Sequence, residues 1–267
     1  DGLKLAGLAG PAGIEGPEMQ KVAVWDGGRS RPLEIETSGL KLAVTATRLA
    51  PFDGALVLRI RLTPGDERGP DIYTLDVLDT EKAGAGNSSS DRAQAHASIA
   101  VPPVGNFFAT GGGVYRTWKR EGSKNVVDER KSDTQVYLWA RDTFAKRPVD
   151  LGEPVGEGAL LAFTSDGAKL LVATPAKKLF VIDAVSGRVD RTIPLPETPT
   201  ALAASASRAI VIGGRRVLLV RLDDDRVAPA TGFAAARSVI GAANGESIYV
   251  GGDDGLLRRY AFEPLAK

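Results

Sequence analysis

The chain contains 267 residues, and 34 Lys and Arg against 33 Asp and Glu leave a formal net charge of +1. This balance disfavours a nonspecific binder of nucleic acid or of anionic membranes. Hydrophobic residues make up 43% of the chain and cysteine is absent, so we expect a large core and exclude disulfides, zinc fingers and thiol nucleophiles.

Short runs rich in Val, Leu, Ile, Phe or Tyr recur along the chain, separated by Gly, Asp, Pro or Asn. This pattern predicts a mostly β protein with an internal repeat. In chain order, the third strand of each predicted unit ends on a bulky anchor residue, at Trp25, Leu75, Trp139, Ile182, Leu222 and Tyr260. The last three anchor spacings are 43, 40 and 38 residues, close to the roughly 40–45 residues of a four-stranded propeller blade.

The sequence therefore predicts an all-β fold, a single β-propeller domain of about six four-stranded blade units whose first and last units are incomplete. The units are expected at residues 1–38, 39–97, 98–152, 153–196, 197–234 and 235–267. Two polar stretches, Thr80–Gln94 and Tyr115–Asp133, are predicted as loops inserted into this frame. Asp1-Gly2 aligns with the turn residues Asp166-Gly167, so we expect the chain to begin inside a blade and to be cut from a longer polypeptide.

Several segments resemble the WD40 family of β-propellers. Val22-Ala-Val-Trp-Asp26 matches its terminal strand motif, and Ser165–Leu170 and Tyr249–Gly255 match its turn and inner strand. The resemblance, to a degenerate bacterial type, implies a non-catalytic module for protein interaction or scaffolding. The Gly-His signature is missing, so the family's Asp-His-Ser/Thr-Trp hydrogen-bond network is not expected in its usual form. Val181–Val189 also resembles the surface-layer and quinoprotein type of repeat, without the tryptophan of the quinoproteins.

No convergent catalytic or ligand-binding set is predicted. The lone histidine, His96, follows a Ser-rich stretch and is interpreted as a solvated loop residue rather than part of a Ser-His-Asp triad. Asp223–Asp225 and Asp253-Asp254 lack the spacing of a calcium loop. Gly84-Ala-Gly86 is half of a dinucleotide fingerprint without the helix that would hold a pyrophosphate. We therefore expect no enzyme activity, no cofactor and no metal.

The predicted binding surface consists of loops that join second and third strands, because these loops emerge on one face of a propeller. Several carry basic or aromatic tips, and such side chains are enriched at binding hot spots. The alternative is that these cations only keep turn tips solvated. The predicted partner-binding residues are Arg116, Trp118, Lys119, Arg120, Lys177, Lys178, Arg215 and Arg216.

The expected partner is another protein or another segment of the parent chain. Nucleic acid is disfavoured, since three acids, Glu121, Asp128 and Glu129, lie among the six basic residues between Arg116 and Lys131. A propeller enzyme or small-ligand binder that uses a central channel is the alternative, and a purely structural role also stays open. No run of 18 apolar residues occurs, so no membrane span is expected. The expected compartment is the cytoplasm, with the periplasm as the alternative.

Overall fold

The structure is a computed structural model. It describes residues 4–9, 21–26, 29–33, 46–53, 56–63, 72–79, 84–91, 96–112, 114–132, 135–156, 158–214, 216–231, 233, 236–241 and 245–262. Every regular element in these residues is a β-strand, which confirms the all-β prediction. Four of the sheets have four strands, as expected for the repeated units.

The described strands form six sheets and one separate hairpin. Sheet I contains β1 (Lys4–Ala9), β2 (Lys21–Asp26) and β3 (Arg29–Leu33), and sheet II contains β4 (Ala46–Asp53), β5 (Leu56–Thr63), β6 (Ile72–Asp79) and β7 (Gly84–Asp91). Sheet III contains β8 (His96–Ala100), β9 (Phe107–Gly112), β12 (Val136–Ala140) and β13 (Lys146–Val149), with the hairpin β10 (Val114–Glu121) and β11 (Lys124–Ser132) inserted between β9 and β12. Sheet IV contains β14 (Leu160–Phe163), β15 (Lys169–Thr174), β16 (Lys178–Asp183) and β17 (Val189–Pro194). Sheet V contains β18 (Pro199–Ala204), β19 (Arg208–Gly213), β20 (Arg216–Arg221) and β21 (Val227–Pro229), and sheet VI contains β22 (Ala236–Gly241), β23 (Ser247–Gly252) and β24 (Leu257–Ala261).

The chain divides into two compact units. Unit 1 comprises Asp1–His96 and Val114–Lys131, and therefore holds sheets I and II and the β10–β11 hairpin. Unit 2 comprises Ala97–Gly113 and Ser132–Lys267, and holds sheets IV, V and VI and nearly all of sheet III. The division of the sequence into six blade units stays a prediction.

The turn between β14 and β15 shows how the sequence ends one strand and begins the next. Gly167 has a φ of +68°, a conformation that a residue with a Cβ adopts only with strain, and its N–H donates to the carbonyl of Thr164 at 2.9 Å. The Asp166 carboxylate accepts hydrogen bonds from the Thr164 hydroxyl at 2.5 Å and from the Ala168 N–H at 3.0 Å. The Asp-Gly pair therefore forms a tight turn, as its sequence indicates.

Sheets IV and V are buried on both faces, because neighbouring residues of a strand belong to different hydrophobic clusters. In β15, Leu170 and Val172 pack in the cluster between sheets III and IV, whereas Leu171 and Ala173 pack in the cluster between sheets IV and V. In β19 and β20 of sheet V, neighbouring residues likewise alternate between the cluster shared with sheet IV and the cluster shared with sheet VI. Two-sided burial explains why these strands read as continuous apolar runs. Exposed polar side chains of these two sheets therefore lie at the sheet ends and along edge strands, as Asp190 and Thr192 do in β17.

Three arginines, which we call the inter-sheet arginines, connect neighbouring sheets of unit 2 through main-chain carbonyls. A guanidinium in one sheet donates to a carbonyl oxygen just after the third strand of the next sheet, and such charge-assisted bonds are stronger than neutral ones. The three pairs are Arg147 with Ala184 at 3.0 Å, Arg191 with Leu222, and Arg208 with Phe262 at 3.0 Å.

The three acceptors occupy equivalent places. Ala184, Leu222 and Phe262 each follow the last residue of a third strand, and each donates its own N–H to the turn between the first and second strands of its sheet. Each pair of neighbouring sheets from III to VI therefore combines an apolar cluster with one inter-sheet arginine, and Arg147 also donates to the carbonyl of Val185.

The prediction that Thr80–Gln94 and Tyr115–Asp133 are loops is wrong, because both stretches contain β-strands. Gly84–Asp91, within the first stretch, forms β7 and pairs along β6, and most of the second stretch forms the β10–β11 hairpin. An edge strand pairs through its backbone, so a Gly- and Ser-rich composition is tolerated there. His96, also predicted in a loop, is the first residue of β8.

The strand register also corrects one anchor residue. Ile182 pairs with Leu170 and Tyr260 pairs with Ile248, and the equivalent pair in sheet V is Val220 with Ala209. Val220, rather than Leu222, is therefore the third-strand anchor of sheet V. Both residues are bulky and two positions apart, so the sequence alone could not distinguish them.

Candidate interaction surface

Three of the predicted binding residues, Lys177, Lys178 and Arg216, lie at one end of sheets IV and V. In an antiparallel four-stranded sheet, the start of the first strand and the turn between the second and third strands lie at the same end. We call this the entry end of a sheet. The described turns there are residues 175–177 in sheet IV, Gly214 in sheet V and residues 253–256 in sheet VI.

At the entry end of sheet IV, Lys177 and Lys178 have different environments. Lys177 is exposed in the turn, has a φ of +60° and donates its N–H to the Thr174 carbonyl at 3.0 Å. Its side chain forms no ion pair with any residue that the structure describes. Lys178 begins β16, and its ammonium forms an ion pair with Glu153, which lies in the segment that leads into β14.

Sheet V repeats this arrangement with different residues. Arg216 begins β20 and its Nε lies 3.2 Å from Oε1 of Glu197, which lies in the segment that leads into β18. A Cβ on Gly213 would lie 2.9 Å from Cβ of Glu197, so the glycine permits the close approach of the two segments. Arg215, the other predicted residue in this turn, lies outside the described residues. In sheets IV and V, a cation at the start of the third strand is therefore paired with an acid before the first strand.

In sheet VI the signs are reversed. Arg237 of β22 pairs with Asp253 in the turn between β23 and β24. In the same turn, Asp254 accepts two hydrogen bonds from Arg258, at 2.5 and 3.1 Å. The Arg258 bonds, together with the N–H of Leu256, lower the pKa of Asp254 from 3.8 to about 2. The entry ends of the three sheets therefore present paired charges of both signs rather than a row of cations.

A cleft lies beside the entry end of sheet IV. It has a volume of about 500 Å³ and is lined by Gln135, Pro148, Val149, Asp150, Leu151, Glu153 and Pro154. Its floor combines proline and aliphatic groups with two carboxylates, one of which is the partner of Lys178. Sequence reasoning missed Glu153 and Glu197, because both lie in connecting segments where no strand register predicts which turn they face.

The other four predicted residues, Arg116, Trp118, Lys119 and Arg120, lie in β10. Lys119 and Arg120 are exposed next to the hairpin tip, where Gly122 has a φ of +64°. The Lys119 ammonium lies 3.0 Å from the Glu121 carboxylate, and Arg120 donates from Nε to the Gly122 carbonyl at 3.2 Å. The structure thus places seven of the eight predicted residues, four in a charged hairpin of unit 1 and three, Lys177, Lys178 and Arg216, at the entry ends of two sheets of unit 2.

Sheet III contains a buried polar contact between its second and third strands. Trp139 donates from Nε1 to Oγ1 of Thr110 at 2.7 Å, and both side chains are buried. The Phe108 ring stacks against the Trp139 ring with a centroid distance of 5.7 Å. The hydrogen bond satisfies the indole N–H, which allows a tryptophan to be fully buried at this position.

The acidic turn of sheet V is occupied by arginine contacts. Asp223 accepts bonds from Arg221 at 2.7 and 3.2 Å, and these lower its pKa from 3.8 to about 2. Asp225 lies 2.9 Å from the Nε of Arg191, an inter-sheet arginine. In the part of the chain that the structure describes, no group of three or more His, Cys, Asp or Glu is arranged to hold a metal ion.

Comparison of the chain with protein-family models finds no match, and comparison with curated proteins finds none either. These comparisons therefore add no support to the WD40 resemblance of the sequence motifs. Within the described ranges, no helix has the length and apolar character needed to cross a membrane.

Proposed function

We propose that this chain is a non-catalytic protein-interaction module, built as a WD40-like β-propeller whose sheets are its blades. In this proposal, the β10–β11 hairpin and the entry-end turns contact a partner protein or an effector segment of the parent protein. We keep the cytoplasm as the proposed compartment.

One observation carries the proposal, namely the repeated junction between sheets III, IV, V and VI. Apolar clusters and inter-sheet arginines use both faces of sheets IV and V for internal packing. What these sheets offer to another molecule is therefore their ends and outer edges, and the turns at the ends hold exposed charges. Functional contacts commonly lie on turns that a rigid scaffold positions.

The contact between Trp139 and Thr110 adds support for the WD40-like character. It joins a tryptophan to a threonine, which are two of the residue types in the family's Asp-His-Ser/Thr-Trp network, although the histidine of that network is missing. The mixed signs at the entry ends support a protein partner over nucleic acid, since most of these cations already have a carboxylate within the chain.

The test is affinity capture from the source organism with the full chain as bait, read by quantitative mass spectrometry. The double variant Trp118→Ala/Arg120→Ala should lose a protein that the wild type retains. Val185→Ala/Arg188→Ala is the control, because it removes one apolar residue and one arginine at the end of sheet IV opposite its entry end, where both side chains are exposed. Equal retention by wild type and hairpin variant, with both folded by circular dichroism, would contradict the proposed surface.

A further inference from the structure

The cleft beside the entry end of sheet IV contains a carboxylate oxygen without a hydrogen-bond partner. Glu153 lines this cleft and uses Oε2 for its ion pair with Lys178. Its other oxygen, Oε1, is buried and accepts no hydrogen bond within the described part of the chain. Buried polar atoms are nearly always paired in folded proteins, because desolvation without a partner costs free energy. Oε1 therefore marks a place where a donor from another molecule can bind.

A second polar group without a partner lies on the same side of sheet IV. Thr174 is the last residue of β15, and it shares a strand face with Val172, which packs in the cluster between sheets III and IV. The cleft opens on this side, since Val149 at the end of β13 lines it. The Thr174 side chain is fully buried, and none of the described residues forms a hydrogen bond with its Oγ1. The side of sheet IV that borders the cleft therefore has two polar groups that the fold leaves unsatisfied.

The equivalent acid of sheet V is covered by its own chain. Glu197 forms the same kind of ion pair, with Arg216. A Cβ on Gly214 would lie 2.8 Å from Oε2 of Glu197, so the turn backbone lies directly against that oxygen. The ion pair at the entry end is thus repeated in both sheets, and Glu197 serves as a reference for Glu153.

The rest of the lining defines the chemical class of the ligand. Asp150 adds an exposed carboxylate, of which Oδ1 accepts a hydrogen bond from the Gly152 N–H at 2.8 Å, and Pro148 and Pro154 add apolar walls. Two carboxylates against the single ammonium of Lys178 leave one net negative charge, which favours a ligand with one positive charge. A guanidinium suits this lining, because it has N–H donors for both acids and weakly hydrated faces that can rest on the prolines.

We propose that the cleft binds the guanidinium of an arginine side chain from another polypeptide, with Glu153 and Asp150 as its hydrogen-bond acceptors. The terminal torsion of a glutamate is broad, so a small rotation turns Oε1 of Glu153 into the cleft. The volume of about 500 Å³ is typical of ligand sites and also accommodates the aliphatic stem of the arginine. All lining residues belong to unit 2. The assignment rests on the proposed interaction function, because it names a group that the partner contributes.

The experiment uses the full chain labelled with ¹⁵N and three ligands. These are the blocked peptide N-acetyl-Gly-Arg-Gly-amide, the same peptide with uncharged citrulline in place of arginine, and butylguanidinium. Amide shifts in a titration report both the affinity and the place of binding. We expect the arginine peptide to bind about tenfold more tightly than the citrulline peptide, with the largest shifts in residues 148–154 and 174–178. Butylguanidinium should bind more weakly than the arginine peptide, since it lacks the peptide backbone.

Two substitutions test the acceptors. Glu153→Gln should weaken binding of the arginine peptide about tenfold, and Asp150→Asn, at an exposed position, should weaken it about threefold. Glu197→Gln is the matched control, since it makes the same change in the equivalent ion pair of sheet V, outside the cleft. It should leave the affinity unchanged. The amide spectrum of each variant also shows whether it is folded.

Equal affinity for the arginine and citrulline peptides, shifts outside residues 148–154 and 174–178, or no binding at millimolar peptide would each overturn the proposal. Unchanged affinity in a folded Glu153→Gln or Asp150→Asn variant would do the same. Butylguanidinium that binds as tightly as the arginine peptide, or more tightly, would overturn the assignment to a polypeptide. The capture experiment with the hairpin variant tests a different surface, so the proposed function and the arginine site can fail separately.

Discussion

Replacing Gly167 with alanine should destabilise the contact between sheets III and IV far more than its small size implies. Gly167 lies in the β14–β15 turn at a φ of +68°, and a methyl group there would overlap the carbonyl oxygen of Val104, which belongs to the β8–β9 connection of sheet III. The positive φ alone costs an alanine about 1 kcal/mol. Overpacking against a backbone atom adds about 2 kcal/mol, so we expect a total loss of about 3 kcal/mol.

Gly255→Ala provides the control, because Gly255 has a φ of +74° in a turn of sheet VI and its added Cβ would meet no atom within 4 Å. It should lose only the conformational part, about 1 kcal/mol. With a urea dependence of about 3 kcal/mol per M, the unfolding midpoints of the two variants should differ by about 0.7 M, measured by circular dichroism. Equal midpoints would refute the close approach of the β14–β15 turn to sheet III.

Three further predictions concern the junctions of unit 2. Arg191→Met removes the bond to the Leu222 carbonyl and should lower the free energy of unfolding by about 1–2 kcal/mol in urea titrations. Phe180→Ala removes a buried ring and leaves a cavity in the cluster between sheets III and IV, which should lower the free energy of unfolding by about 3–4 kcal/mol. The Ser186 N–H and then Lys169 lower the pKa of Asp183 from 3.8 to about 2, so its stabilisation is present above pH 4 and is lost as the pH falls through 2. Asp183→Asn should therefore be less stable than wild type at pH 6. We expect a difference of about 1 kcal/mol, because the carboxylate is one-third exposed, and no difference below pH 2.

The sequence predicts the strands and turns of unit 2 well because hydrophobic runs and Asp-Gly pairs are local signals. Asp166-Gly167 is a clear instance, since both the side-chain acceptor and the permissive backbone lie within the turn itself. The fourth strand of sheet II escapes such reasoning, because Gly84–Asp91 pairs through its backbone and has no apolar alternation to signal it.

The sequence predicts the candidate interaction surface only in part, for a related reason. Lys178 and Arg216 could be selected because turn tips are recognisable in a sequence. Their partners Glu153 and Glu197 could not, since an ion pair between a turn and a distant connecting segment depends on the register of three strands. Charges that look available in the sequence are therefore partly neutralised in the fold.

In each junction between two sheets, a specific side chain, the inter-sheet arginine, is needed on one side only, because the other side contributes a main-chain carbonyl. Their acceptors belong to an alanine, a leucine and a phenylalanine, and the carbonyl oxygen is the same chemical group in all three. Substitution at Ala184 or Leu222 can change the packing there, but it leaves the hydrogen-bond acceptor in place. The amino-acid sequences of repeats that are connected in this way can diverge while the spacing between their sheets is preserved. Such repeats can therefore keep the same structure after their shared sequence motif is no longer recognisable.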